Sequence, residues 1–195
     1  MIQEIILTTV NADGSIHLAP MGLTLTEPAA ATEAMPAGAS LAPFAPSRSL
    51  DNLARRGTGV INICDDVRVF AGCLTGRRDW PTVALAAHNG EARLAEVLGY
   101  RLVSVKAFGQ NPERPRFICS IIESQQIKPF NGFCRAQSAV IEAAILVSRF
   151  NRTPARDLIR EFEQLATIVD KTAGAVEFEA WGWLQEAFEQ DLAKD

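Results

Sequence analysis

The segment 47–49 carries the clearest indication of ligand chemistry in this sequence. Ser47, Arg48 and Ser49 open a predicted helix, and a helix start presents free backbone N–H groups and the positive end of the helix dipole. Two hydroxyl groups and a guanidinium group would converge there, a combination that suits a phosphate monoester. A second interpretation stays open, in which one serine caps the helix and Arg48 is solvated.

One polar residue, Asn62, interrupts the apolar run from Gly59 to Cys64. That run predicts a buried strand, and an unpaired amide inside such a strand costs on the order of 1–3 kcal/mol. Asn62 therefore requires a hydrogen-bonding partner. A ligand and a neighbouring loop are equally consistent with the sequence.

Side chains for acid–base or nucleophilic catalysis are scarce. The chain has only two histidines, His17 and His88, and it contains neither a GxSxG nucleophile elbow nor an HExxH pair. Cys134 lies beside Arg135, as in some reactive thiols, but a buried small residue is the favoured interpretation. The glycine patterns of Rossmann and P-loop nucleotide sites are also absent from the sequence. These observations argue against a hydrolase and against both kinds of nucleotide site.

Composition and charge exclude further classes of protein. The chain has 195 residues, of which 48% are hydrophobic, as expected for a globular protein of one domain, with or without an appendage. A net charge of -4 argues against extensive nucleic-acid binding. No apolar run is long enough to span a membrane, and the N-terminus lacks the basic region of a signal peptide. No lysine or arginine precedes Arg48, so an anionic ligand must find its cationic partners from that position onward.

The four cysteines indicate free thiols rather than a metal or redox site. Their intervals match no zinc pattern and no CxxC pair, so we expect no set of metal ligands. Three of the four lie in apolar surroundings, which predicts buried thiols and a reducing, cytoplasmic location. The four positions are Cys64, Cys73, Cys119 and Cys134.

A β-rich first part of the chain has to position the ligand-binding candidates. Ile2 to Val10 is apolar and β-branched, and Asp13-Gly14 supplies a tight turn into a second strand. Pro20 lacks an N–H donor, which predicts that the second strand stops pairing or bulges there. Backbone N–H groups freed near Met21 and Gly22 would then face a planar polar ligand.

Further strand and helix signals follow along the chain. A helix is predicted from Ser47 to Arg56, with Gly57 at the position expected for its C-terminal cap. The Ala- and Pro-rich segment 26–40 is predicted to be an exposed loop. Strands are predicted at residues 40–44, 59–64, 67–74, 100–108 and 116–127.

From Pro129 onward the pattern becomes helical, and three helices are predicted before the end of the chain. Strands first and helices last indicate an α+β fold, and about six strands with hairpin-like connections can close as a small antiparallel barrel. The predicted domains are therefore a barrel at residues 1–128 and a C-terminal helical subdomain at residues 129–195.

Four segments together resemble the FMN-binding split-barrel flavoproteins. Within that superfamily, the sequence is most similar to the branch catalogued as domain of unknown function 447 (DUF447). The first segment reads Thr-Thr-Val-Asn-Ala-Asp-Gly and continues to Ala-Pro-Met-Gly, and the fourth reads Gly-Phe-Cys-Arg-Ala-Gln-Ser-Ala-Val-Ile-Glu-Ala-Ala-Ile. The four segments are residues 8–22, 43–53, 60–66 and 132–145, of which the first and fourth are the most specific.

The resemblance implies an antiparallel split barrel that forms a homodimer and binds FMN in a groove shared by both subunits. It places one group of residues beside the isoalloxazine ring, a second group around the phosphate, and two asparagines nearby. Two departures from the usual pattern are Cys134, where asparagine is usual, and Ser49, where threonine is common. The implied cofactor-binding residues are His17, Ala19, Pro20, Met21 and Gly22 at the ring, Ser47, Arg48 and Ser49 at the phosphate, and Asn52 and Asn62 nearby.

The resemblance also implies a function, an FMN-dependent oxidoreductase that passes electrons from a reduced nicotinamide to a small acceptor. Tetrahydromethanopterin-linked one-carbon metabolism is one implied setting. A flavin accepts hydride at its own N5 atom, so such a protein needs few catalytic side chains, and none is assigned here. Two alternatives remain, a non-catalytic FMN carrier or sensor and a barrel that has lost its flavin. A surface of Arg77, Arg78 and Trp80 would contact a dinucleotide donor only in the catalytic case.

Overall fold

The computed structural model forms two compact units, Met1–Cys64 with Trp80–Pro129 and Asp65–Asp79 with Phe130–Asp195. None of the helices in the described part of the chain is long and apolar enough to cross a bilayer. The structure describes residues 1–32, 37–86, 88, 90–108, 111, 114–150 and 153–194.

The first unit is a closed six-stranded barrel in which every neighbouring pair of strands is antiparallel. Its order around the barrel is β1-β2-β3-β8-β7-β4. A short hairpin of β5 and β6 forms a separate two-stranded sheet, and helix α1 lies between β3 and β4 in the chain. The strands are β1 (Ile2–Val10), β2 (Ile16–Thr26), β3 (Gly38–Leu41), β4 (Thr58–Ile63), β5 (Thr82–Ala84), β6 (Ala92–Leu94), β7 (Gly99–Phe108) and β8 (Arg116–Gln126), and α1 is Arg48–Arg56.

The barrel interior is filled by apolar side chains from all six strands and from α1. Leu53 of α1 belongs to this core, so the helix contributes to the packing as well as to the surface. Each fully buried Leu, Ile or Phe contributes roughly 1.5–3 kcal/mol relative to an exposed position. The core residues are Ile5, Leu7, Leu23, Leu41, Leu53, Ile61, Val103, Phe117 and Cys119.

The segment 26–40, predicted to be an exposed loop, begins and ends in strands. Thr26 ends β2, and β3 starts at Gly38 rather than at Ser40. A short, fully exposed 3-10 turn occupies Pro28–Ala30, which agrees with the predicted exposure. Residues 33–36, also part of that prediction, lie outside the described residues.

The second unit is helical and contains α2 (Val67–Leu74), α3 (Arg135–Ser148), α4 (Ala155–Thr172) and α5 (Ala175–Leu192). The aromatic rings of α4 and α5 meet in its core. The ring centroid of Phe162 lies 4.3 Å from that of Phe188 and 4.5 Å from that of Trp181. These contacts join two helices that follow each other in the chain.

The segment 65–79 belongs to the helical unit, although the sequence analysis placed it in the barrel domain. The predicted strand 67–74 is wrong, because these residues form α2. A short apolar run does not distinguish a strand from a buried helix. The local signal for a helix was Asp66, whose carboxylate accepts a hydrogen bond of 3.0 Å from the Arg68 amide and caps the helix.

Two glycine-to-alanine substitutions are expected to change stability in opposite directions. A methyl group at Gly99 in β7 would lie 2.8 Å from the Gln125 carbonyl oxygen, so Gly99→Ala should destabilise the protein by about 1–3 kcal/mol. Gly182 in α5 has no atom within 4 Å of the corresponding position, so Gly182→Ala should stabilise it by about 0.5–1 kcal/mol. Urea unfolding of both full-length variants measures these changes, and equal shifts would contradict the packing argument.

Candidate functional site

Helix α1 begins and ends as the sequence predicts. Ser47 is its N-cap, and the Ser47 Oγ atom accepts a hydrogen bond of 3.2 Å from the Leu50 amide. Gly57 ends the helix with a φ of 69°, a left-handed conformation that glycine adopts without strain. Ser47 therefore acts as the capping serine, and its hydroxyl is already used within the helix.

Ser49 and Arg48 form the part of this helix start that is open to a ligand. Ser49 is only 2% exposed. It lies in the first helical turn, where backbone N–H groups have no intrahelical acceptor. Arg48 is exposed. This arrangement provides main-chain donors and an exposed guanidinium for an anion.

The turn between β1 and β2 lies within electrostatic reach of this helix start. The hydroxyl and amide of Ser15 bind the Asp13 carboxylate at 2.6 and 3.0 Å. These hydrogen bonds lower the pKa of Asp13, and the positive charge of Arg48 adds a smaller effect in the same direction.

Hydrogen bonds fasten α1 to the end of that hairpin. Asn52, which is 4% exposed, donates from Nδ2 to Thr9 Oγ1 at 3.0 Å and to Asn11 Oδ1 at 2.9 Å. Arg55 bonds the Val10 carbonyl and the Asn52 amide oxygen. Thr9 pairs directly with His17 across the two strands. The structure thus brings His17, Asn52 and α1 to the same end of the barrel.

Residues 16–22 of β2 present one edge that has no partner strand in the described part of the chain. Strand β1 pairs over its whole length with residues 16–24 of β2. On the other side of β2, β3 pairs only with residues 23–26. Pro20 pairs with Ile6 in an unbroken register, so the predicted stop or bulge at Pro20 is wrong. Proline is compatible with a strand whose second edge is unpaired.

The predicted ring-binding residues lie along this unpaired edge and are all half-buried. The side chain of Met21 packs against the barrel core, and its backbone pairs with Ile5 of β1. The contact of main-chain groups near Met21 and Gly22 with a planar ligand stays a prediction, and the open edge itself arises from the late start of β3. The residues concerned are His17, Ala19, Pro20, Met21 and Gly22.

Asn62 is completely buried and fully hydrogen-bonded inside the first unit. Its Nδ2 atom donates to the Ile6 carbonyl, the Thr8 hydroxyl and the Val60 carbonyl at 3.0, 3.1 and 3.2 Å. Its Oδ1 atom accepts from the Leu94 amide at 2.8 Å. Of the two partners left open by the sequence, the structure shows the neighbouring loop, because Leu94 belongs to the β5–β6 hairpin.

One of the predicted donor-contacting residues, Arg77, is engaged within the helical unit. Arg77 belongs to the helical unit, where its guanidinium lies 4.7 Å from the centre of the Trp183 ring and its Nη2 atom 3.5 Å from Glu186 Oε2. Trp80 belongs to the barrel unit. Arg77 is therefore already engaged by side chains of α5.

The remaining histidine and the cysteines form no additional centre for chemistry. His88 lies 3.0 Å from the Glu123 carboxylate, which also accepts a hydrogen bond from Tyr100. All four cysteines are free, and burial raises the pKa of Cys73 and of Cys119 to about 11, so both stay protonated at neutral pH. Cys64 and Cys134 are half-buried, not fully buried. The described residues contain no cluster of three or more potential metal ligands.

The closed antiparallel barrel and the helix that packs into it define a split barrel of the flavin-reductase type. A 2-nitrobenzoate 2-nitroreductase from Pseudomonas fluorescens has this fold, with a TM-score of 0.51, 14% identity and 64% of each chain covered. Flavoredoxin from Methanosarcina acetivorans has a TM-score of 0.50 and 12% identity over 66% of this chain and 74% of that chain. The predicted fold class is thus confirmed.

The chain itself belongs to the DUF447 family. The model for the protein of unknown function (DUF447) N-terminal domain matches residues 3–128, and the protein of unknown function (DUF447) model matches residues 134–186. The structure is also similar to that of an FMN-bound protein of this family from Methanosarcina mazei, with a TM-score of 0.78 and 17% identity over 95% of this chain and 94% of that chain. A search of curated proteins found no match.

Proposed function

We propose that the barrel unit binds FMN at the end where α1 meets the β1–β2 hairpin. The observation that carries the proposal is the first turn of α1, where free backbone N–H groups lie beside the exposed residue Arg48 and the buried residue Ser49. A phosphate monoester would accept hydrogen bonds from these N–H groups. The FMN bound to the family member from Methanosarcina mazei supports the same choice of ligand.

The residues present fit the two ends of this cofactor. Ser49, Arg48 and the first-turn amides would hold the phosphate, while Ser47 caps the helix and Asn52 fastens it to Thr9. The isoalloxazine ring would lie along the unpaired edge of β2. We assign Asn62 a positioning role, because its amide is already fully bonded within the barrel. The β2 residues involved are His17, Ala19, Pro20, Met21 and Gly22.

We further propose that the protein is an oxidoreductase that passes electrons from a reduced nicotinamide to a small acceptor. Bound flavin would supply the hydride-accepting N5 atom, and the β2 edge would bind and orient the ring. The fold shared with a nitroreductase supports this assignment. A second copy of the chain would complete the groove, and a pterin of tetrahydromethanopterin-linked metabolism is one acceptor to test.

The test combines cofactor identification with turnover. Protein purified without added flavin is denatured, and the released molecule is identified by its absorbance spectrum and mass. FMN-loaded protein is then mixed with NADH or NADPH and a panel of flavin and pterin acceptors, while sedimentation measures the oligomeric state. Release of FMN followed by nicotinamide oxidation supports the proposal. Absence of any flavin affinity would overturn the binding site, and inertness with every donor would overturn the enzyme.

A non-catalytic FMN carrier or sensor is the second candidate function. One observation favours it, namely that Arg77 is already engaged by Trp183 and Glu186 in the helical unit. The double variant Arg77→Ala/Arg78→Ala separates the two candidates further. If it leaves the rate of flavin reduction by NADPH unchanged, that surface has no role with a donor.

A further inference from the structure

A second guanidinium lies beside the chain segment that enters α1. Arg114 lies in the connection from β7 to β8. Its Nε atom nevertheless donates a hydrogen bond of 3.3 Å to the carbonyl of Ala42, far away in the sequence. Its guanidinium carbon lies 4.7 Å from the centre of the Phe44 ring. Ala42 and Phe44 belong to the connection that runs from the end of β3 to the N-cap residue Ser47. The stacking and the hydrogen bond together hold Arg114 against this connection.

The polar atoms of Arg114 remain open to a ligand. Within the part of the chain that the structure describes, no carboxylate pairs with Arg114. Its Nε atom alone is hydrogen-bonded there, so the two Nη groups still present four N–H donors. Phe44 is 52% exposed, so the stacked pair lies at the surface. A stacked guanidinium is pre-oriented for a planar, two-point contact with a phosphate.

Chain connectivity limits how far this pair is from the helix start. Phe44 precedes Ser47 by three residues, and three extended residues span at most about 11 Å. Arg48 is the first residue of α1. The connection that holds Arg114 therefore leads into the helix turn that carries Arg48.

The charge of a phosphate monoester favours more than one cationic partner. Such a group carries about -1.5 to -2 at neutral pH. Arg48 is exposed at the first position of α1, and Asp51 adds a carboxylate to the same turn. Arg55 is already bonded to the Val10 carbonyl and the Asn52 amide oxygen. A further arginine with free N–H donors would therefore complement the phosphate charge.

We infer that Arg114, held on Phe44, is a second phosphate-binding side chain that makes this site select phosphorylated over unphosphorylated flavins. The inference rests on the proposed FMN site. It adds a residue from the β7–β8 connection, 66 positions beyond Arg48 in the sequence. Riboflavin lacks the phosphate and would gain nothing from either arginine.

The test compares two ligands on the full-length protein. Dissociation constants for FMN and riboflavin are measured by fluorescence titration for the unaltered chain, Arg114→Ala, Arg114→Lys and Phe44→Leu. Arg114→Ala should weaken FMN binding about tenfold and leave riboflavin unchanged. Arg114→Lys should recover part of the loss, because it keeps the charge but not the planar fork. Phe44→Leu should give a smaller loss for FMN alone.

Lys106→Ala is the matched control, because Lys106 is an exposed cation on β7 of the same unit. An unaltered chain that binds no FMN would overturn the proposed function itself. An unaltered chain that binds FMN, with Arg114→Ala equal to it, would overturn the present inference alone. Equal weakening of FMN and riboflavin would also overturn it, since Arg114 would then shape the loop and not contact the phosphate.

Discussion

Replacing Arg48 by alanine is expected to raise the dissociation constant for FMN about tenfold to a hundredfold. A charge-assisted hydrogen bond to a phosphate is worth roughly 1.5–3 kcal/mol, which corresponds to that range of affinity. Arg48 is exposed at the first position of α1, so its removal leaves the barrel core intact. Fluorescence titration of the full-length protein with FMN measures the change.

Two further variants make this result specific to the phosphate. Arg48→Lys retains the charge and should lose only part of the affinity, since a lysine cannot make the two-point contact. Arg156→Ala removes an exposed cation from α4 in the other unit and should leave the affinity unchanged. The affinity of the unaltered protein should also fall as salt is raised. An Arg48→Ala protein that binds FMN as tightly as the unaltered chain removes Arg48 from the site.

Replacing Asn62 by alanine is expected to lower the free energy of unfolding by about 2–4 kcal/mol. The substitution leaves the buried Leu94 amide without its acceptor and removes three hydrogen bonds to β1 and β4. An unsatisfied buried polar group costs about 1–3 kcal/mol, and the lost side-chain volume adds a cavity cost. Urea unfolding measures the total, and hydrogen exchange should show faster exchange at Leu94.

Two measurements test whether the effect of Asn62→Ala comes from its buried hydrogen bonds. One uses a control variant at an exposed asparagine, and the other is a titration with FMN. Asn131→Ala, at an exposed position between the barrel and α3, should change stability by less than about 0.5 kcal/mol. At a temperature where Asn62→Ala is folded, its FMN affinity should stay within about threefold of the original value (less than 1 kcal/mol). A large loss of affinity without loss of stability would instead identify Asn62 as a direct ligand contact.

Local signals predicted the elements of the site well. Ser47 and Gly57 cap α1 where the sequence placed them, because a cap depends on the few residues around it. The turn at Asp13-Gly14 likewise joins two paired strands. The prediction failed at residues 67–74, where a short apolar run was compatible with two structures and the Asp66 cap was not used.

The sequence pattern did not predict contacts between residues that are far apart in the chain. The Asn52 amide bonds Thr9 and Asn11 more than 40 positions away, and Arg114 stacks on Phe44 from 70 positions away. No local periodicity encodes such pairs, because they depend on which strands become neighbours. Asn11 carried a weak signal as a polar residue in a tight turn, whereas Arg114 carried none.

By itself, the sequence determined the strand-then-helix order, the caps of α1, the hairpin at the N-terminus and the family to which the chain belongs. These properties follow from short-range backbone preferences and from the spacing of apolar residues. The tertiary structure alone decided that Asn62 bonds a hairpin, that β3 leaves one edge of β2 unpaired, and that Arg114 stacks on Phe44. Barrel closure sets these outcomes, because it decides which distant residues share one end of the sheet.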